Sequence, residues 1–139
     1  MDTPILLTGV AAGIGALMGG ASLLVPRWGA SVVRLMPDPR WPGGWAEFRA
    51  SYGGAFLLAH GSVLLTIAMM AQAGRNSVVA AGFAVGALWL GMAIGRIVSM
   101  LADGKAHQTR TSYNLFSTGF EIVMGLALWA PWLGHIGGV

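Results

Sequence analysis

The chain has no cysteine and little charge: only 9% of its 139 residues are Asp, Glu, Lys or Arg. Without cysteine there is no disulfide, thiolate nucleophile, iron–sulfur cluster or Cys-ligated zinc. A soluble domain carries about a quarter charged residues, so this chain cannot cover a water-facing surface. Its formal charge is only +3 and no dense basic tract with interleaved aromatics occurs, so the high pI does not point to nucleic acid as a partner. There is also no P-loop, dinucleotide fingerprint, Ser-His-Asp arrangement, or zinc or di-iron spacing. No basic segment precedes Ile5-Leu6-Leu7, so the first apolar run reads as a retained span rather than a cleaved signal.

Hydrophobic residues make up 55% of the chain, and 22 residues are glycine, which membrane helices tolerate better than soluble ones. The apolar runs fall at about 3–25, 45–73, 77–102 and 111–129, the last closed by Pro131. Each is long enough to cross about 30 Å of hydrocarbon, and continuous rather than alternating, which excludes strands. The expected fold is all-α: one integral membrane four-helix bundle spanning 1–139. Within 26–44, Trp28, Val32, Val33, Leu35 and Met36 alternate with Arg27, Ser31 and Arg34, the pattern of a short interfacial helix ended by Pro37-Asp38-Pro39. The loops 26–44 and 103–110 share one side, with Arg27, Arg34, Arg40, Lys105 and Arg110, and Arg49 at its edge; the other side has Arg75. The positive-inside rule makes the rich side cytoplasmic and puts both termini outside, with Trp28, Trp41 and Trp45 at the inner interface and Trp129 and Trp132 at the outer one. Gly9/Gly13, Gly15/Gly19, Gly82/Gly86 and Gly91/Gly95 supply small residues at four-residue spacing for close helix packing.

Two charged residues, Arg96 and Glu121, lie within apolar runs. An ionisable group at membrane depth is costly, so it faces the interior, pairs, and marks a working site. Arg96 shares a face with Ser99, Asp103, Met92 and Trp89; Glu121 shares one with Asn114, Ser117 and Thr118. Arg96 lies about 9 Å and Glu121 about 15 Å from the same membrane side by helical rise. Side chains tilt toward their helix N-terminus, which on antiparallel spans leans these two toward each other. At the start of span two, Glu47 and Arg49 point to nearly opposite faces of a regular helix, so only one can join a site with Tyr52. The functional reading is a pocket of Arg96, Glu121, Arg49 or Glu47, Tyr52, Asn114 and Ser99. The structural reading is a buried ion pair that sets helix register. His60 lies near mid-membrane. It reads as a packing residue, although a pigment that needs one axial ligand would find one here; haem would need a second histidine, and His107 and His135 fall in a loop and a tail.

The segments Glu47-Phe48-Arg49-Ala50-Ser51-Tyr52-Gly53-Gly54 and Gly95-Arg96-Ile97-Val98-Ser99, with Asp103-Gly104 after the latter and Glu121 in span four, resemble a bacterial family of short four-span membrane proteins known as a domain of unknown function. The resemblance implies the fold and a bacterial inner-membrane location, and brings no activity. The favoured reading of function is a non-catalytic accessory or scaffold subunit of a larger membrane complex, or a homo-oligomer, that binds lipid at the Arg/Glu site and needs no other cofactor. The alternative is an intramembrane isomerase or cyclase acting on an isoprenoid, sterol-like or quinone substrate. There Glu121 would move the proton, Arg96 would be its electrostatic partner, and Tyr52 or Asn114 the orienting donor. Ion or proton transport fits less well, because the polar residues cluster on one side.

Overall fold

Asp2 starts the first helix. Its carboxylate accepts the Ile5 N–H at 3.3 Å and Pro4 occupies the first turn, so α1 runs Thr3–Leu24. Pro26 opens α2, Pro26–Val33. This is the short helix expected between spans one and two. It stops at Arg34, which takes the left-handed conformation (φ 56), rather than at Pro37. Span two is built of three parts: α3, Gly44–Phe48; a π-helical segment, Arg49–Ala55; and α4, Phe56–Ala68. A break at Met69 leads into α5, Met70–Ala73, so span two ends before Ala73 as a continuous helix. Gly74, at φ 78, then turns the chain into α6, Arg75–Ala102. Thr111 accepts the Asn114 N–H at 3.1 Å, the side-chain cap of α7, Ser112–Ile136.

The computed structural model describes residues 2–136, with side chains to Gly134; the side chain of His135 and the end of the C-terminal tail lie outside the described residues. Four of its helices are long and apolar enough to cross a membrane, and no strand occurs among the described residues. They form an up-and-down bundle in which α1 packs on α4 and α7, and α6 on α4 and α7. The end holding α2 and the 103–111 loop carries Arg27, Arg34, Arg40, Lys105 and Arg110, and is called the basic end below. At the opposite end Arg75 forms an ion pair with Asp2. The buried core of Ala11, Ala12, Val63, Val85, Trp89, Met124 and Leu128 lies toward that opposite end.

Two of the four glycine pairs form packing seams. A methyl group at Gly19 would collide with the Leu57 backbone and one at Gly15 with the His60 ring, so α1 and span two touch backbone to backbone. A methyl group at Gly82 would lie 2.7 Å from the Leu128 carbonyl oxygen, and Gly86 faces Gly125 and Trp129 of α7 in the same way. Gly13, Gly91 and Gly95 have open space beside them.

The fourth helix does not stop at Pro131, as the sequence suggested, but continues to Ile136 with Pro131 buried inside it. Proline removes the N–H that would reach the carbonyl of Ala127. The Thr8 hydroxyl of α1 lies 3.1 Å from that carbonyl, equally close to the Pro4 carbonyl of its own helix, and 3.4 Å from the Leu128 carbonyl. A neighbouring helix thus brings a donor within reach of the carbonyl that the proline leaves open, which is how membrane helices tolerate an internal proline.

Candidate functional site

Arg96 and Glu121 meet. The Arg96 Nε donates to Glu121 Oε1 at 2.7 Å, and its Nη1 donates to Asn114 Oδ1 at 3.3 Å. The Glu121 side chain is 5% exposed and that of Arg96 28%, so the carboxylate lies inside and the guanidinium reaches toward the surface along its stem. Asn114 is held in place by its own bonds: its Nδ2 donates to the Thr109 carbonyl at 2.7 Å. The loop before α7 is tied back to α6 by Thr109 Oγ1 to Ser99 O at 2.9 Å and Arg110 Nε to Met100 O at 2.7 Å. These bonds fix the start of α7 against the end of α6 and hold the pair in register.

The second oxygen, Glu121 Oε2, is buried and has no hydrogen-bond partner among the described residues. Nearly all buried polar atoms in native proteins are partnered. The nearby polar side chains with bonds of their own direct them elsewhere: Thr118 Oγ1 donates to Asn114 O at 2.7 Å, and Ser99 Oγ to Asp103 Oδ2 at 2.9 Å.

Glu121 and Arg96 line a cleft of about 830 Å³, within the usual range of small-molecule sites. The cleft exists because the two halves of span two behave differently. Its α4 half packs on α1 and α6, whereas the π-helical segment packs on α1, α2, α3 and α4 rather than on α6 and α7. Gly53 lies against the Leu23 backbone and Arg49 donates to the Leu23 carbonyl, drawing this stretch onto α1. The gap so left toward α6 and α7 is walled by Tyr52, Phe56, Trp89, Met92, Phe116 and Phe120. Helix α2 closes it at the basic end through Trp28, Gly29, Val32 and Val33. That floor is pinned by a hydrogen bond from the Tyr113 hydroxyl to the Val32 carbonyl, with the Arg34 guanidinium 3.7 Å above the Tyr113 ring. The π-helical segment is a local departure of the kind often found at functional sites.

The structure thus brings Arg96, Glu121, Ser99 and Tyr52 around one space, while Asn114 braces Arg96 from outside the cleft's lining. Tyr52 lines it from the far wall, stacked on Phe48 at 4.8 Å. Glu47 and Arg49 are not part of it. Arg49 is turned to α1, and Glu47 is exposed, accepting from Ser51 at 3.4 Å. Both lie at the start of the span, where the helix leans away from α6 and α7. Asn114 does not line the cleft, and its oxygen and amide nitrogen serve Arg96 and Thr109.

Both ring nitrogens of His60 are engaged within the protein. Its Nδ1 lies 2.7 Å from the Phe56 carbonyl, and its Nε2 receives the Trp89 indole N–H at 2.8 Å. An indole nitrogen only donates, so Nε2 is the acceptor and Nδ1 carries the proton. The fully buried His60 ring holds Trp89 upright at the deep end of the cleft, where Phe56, Trp89 and Phe120 meet edge to face at 5.3 and 5.6 Å. Among the described residues no three His, Asp or Glu side chains gather as metal ligands. Trp89 is two turns from Arg96 on the same face and so was visible as a neighbour; Tyr113 and the floor formed by α2 carried no local signal. No protein-family model, curated protein or solved structure matches the chain.

Proposed function

We propose that this protein is a multi-pass bacterial inner-membrane subunit that holds one amphiphilic lipid in the cleft between span two and spans three and four, with the polar end at Arg96 and Glu121. The basic end faces the cytoplasm in this reading, and the protein serves as an accessory or scaffold subunit of a larger membrane assembly. The observation that carries it is the pairing of a buried, partnerless Glu121 Oε2 with an apolar cleft of about 830 Å³ beside it. A pair that only set helix register would be expected to close both carboxylate oxygens with protein donors. Short connections, such as the turn at Gly74 and the folded-back 103–111 loop, favour partners that dock within the membrane.

The test is native mass spectrometry of the full chain released from mild detergent. The wild type is expected to carry a one-to-one lipid-mass adduct. Ala59→Trp, which puts an indole into the cleft and replaces neither member of the ion pair, is expected to lose it. An adduct equally abundant on both proteins would overturn the proposal.

A second reading has its own support. A general base needs a free lone pair, and Oε2 is the Glu121 oxygen that no protein donor occupies. In an intramembrane isomerase or cyclase Glu121 would carry the proton, Arg96 would hold the carboxylate, and Tyr52 would be the donor on the opposite wall. Retained turnover of an isoprenoid or quinone-type substrate in Glu121→Gln would exclude this role.

A further inference from the structure

We infer that the polar end of the occupant is a neutral hydroxyl that donates to Glu121 Oε2, rather than an anionic headgroup; this rests on the cleft being a binding site. The argument is one of donors and acceptors. Glu121 Oε1 and Asn114 Oδ1 already accept from Arg96. The atom left without a partner is an acceptor, Oε2, covered in this structure, so the occupant's donor meets it as the Glu121 carboxyl shifts toward the cleft that this residue lines. A phosphate or carboxylate head brings only acceptors and a second negative charge, and would lie beside a carboxylate already bound to the nearby guanidinium. Like charges at such a distance in a low-dielectric site repel strongly. A methyl ether or a hydrocarbon end brings no donor, and leaves Oε2 unsatisfied. A hydroxyl supplies the missing proton and still accepts, and two side chains lining the same cleft, Tyr52 and Ser117, carry hydroxyls that can donate in return. Much of the rest of the wall, with Met18, Phe56, Trp89, Met92 and Phe120, is apolar and suits a hydrocarbon or ring body.

The same head chemistry is offered by a long-chain alcohol and by a phenol or quinol carrying a tail, and the test separates them. Cetyl alcohol, its methyl ether, palmitate and a pentadecylphenol are each titrated into the detergent-solubilised full chain, with bound fraction read by native mass spectrometry. The wild type is expected to hold the alcohol or the phenol about tenfold more tightly than the methyl ether, the size of one buried hydrogen bond, and more tightly than palmitate. A preference for the phenol over the alcohol assigns a ring-headed occupant packed on Phe56 and Trp89; the reverse assigns an aliphatic one. In Glu121→Gln the amide can keep its oxygen on Arg96 and turn its NH₂ to the cleft, so the ranking of alcohol over ether is expected to vanish or invert. The wild-type ranking decides the matter even if that variant does not fold. Palmitate or the ether binding as tightly as the alcohol, with adducts that Ala59→Trp abolishes, would overturn the hydroxyl head and leave the cleft as a site. No probe giving an adduct sensitive to Ala59→Trp would overturn the site itself and leave Oε2 to be served by water.

Discussion

A carboxylate at membrane depth is tolerated here because one cation reaches it from outside. Glu121 is almost wholly enclosed, while Arg96 keeps part of its guanidinium exposed and bridges to Asn114. Removing one member of a buried pair costs more than removing both, because the survivor is left uncompensated. Arg96→Met is therefore expected to destabilise the bundle by about 3 kcal/mol, and Arg96→Met combined with Glu121→Met by much less. Reversible unfolding in mixed micelles checks this; equal losses in the single and double variants would show that the pair is not coupled. The meeting of Arg96 and Glu121 was legible in the sequence, since depth and the tilt of side chains along antiparallel helices both follow from residue spacing. The packing role of His60 was legible too, but the group it packs with was not. Its partner, Trp89, is 29 residues away on another helix, and only the packing of α4 on α6 brings the two rings together.

At the scale of elements, the spans could be read from hydropathy because lipid demands continuous apolar helices, but their interruptions could not. Whether Pro131 ends a helix depends on whether another element offers a donor to Ala127, and Thr8 does so from the far end of the chain. Thr8→Val is expected to cost about 1 kcal/mol, the usual size of a hydrogen bond between membrane helices. In a Pro131→Ala background, where the backbone N–H can serve Ala127 itself, the same change is expected to cost little. A double-variant cycle in detergent unfolding measures the coupling, and a full penalty in both backgrounds would refute it. The π-helical segment likewise has no local signature beyond the Gly53-Gly54 pair, and it is what removes Arg49 and Glu47 from the site. The free ends behave as ordinary surface chemistry. A hydrogen bond from Arg75 holds the Asp2 carboxyl below the usual carboxylate range. A lowered folded value means that the pair stabilises the protein above the unfolded carboxyl's value near pH ~3.9, and that this is lost as pH falls through the folded value. Melting curves of wild type and Asp2→Asn are therefore expected to differ at neutral pH and to converge in strong acid. A constant gap across that range would show that the ion pair is not its source.

The molecule as a whole is divided along its length. Its core fills the half near the Asp2–Arg75 pair, and its cleft occupies the half near the basic end. The asymmetry of charge gives a direct check of how it lies in a membrane. Because the chain has no cysteine of its own, single cysteines report cleanly. Asn76→Cys is expected to react with an impermeant maleimide on intact bacterial cells, and Lys105→Cys only after permeabilisation. The opposite pattern would place the basic end outside.

The floor that α2 makes beneath the cleft governs how an occupant arrives. Tyr113 and Arg34 fasten α2 across the basic end, while the wall toward the lipid includes the exposed Phe116. For the lipid proposed to occupy this cleft, that leaves a sideways route out of the bilayer, in which the ligand would diffuse in two dimensions and never enter bulk water. Occupancy would then follow its mole fraction among the lipids. On that proposal a modest intrinsic affinity would fill the site wherever the membrane is enriched in that lipid, and the protein would respond to membrane composition rather than to any aqueous concentration.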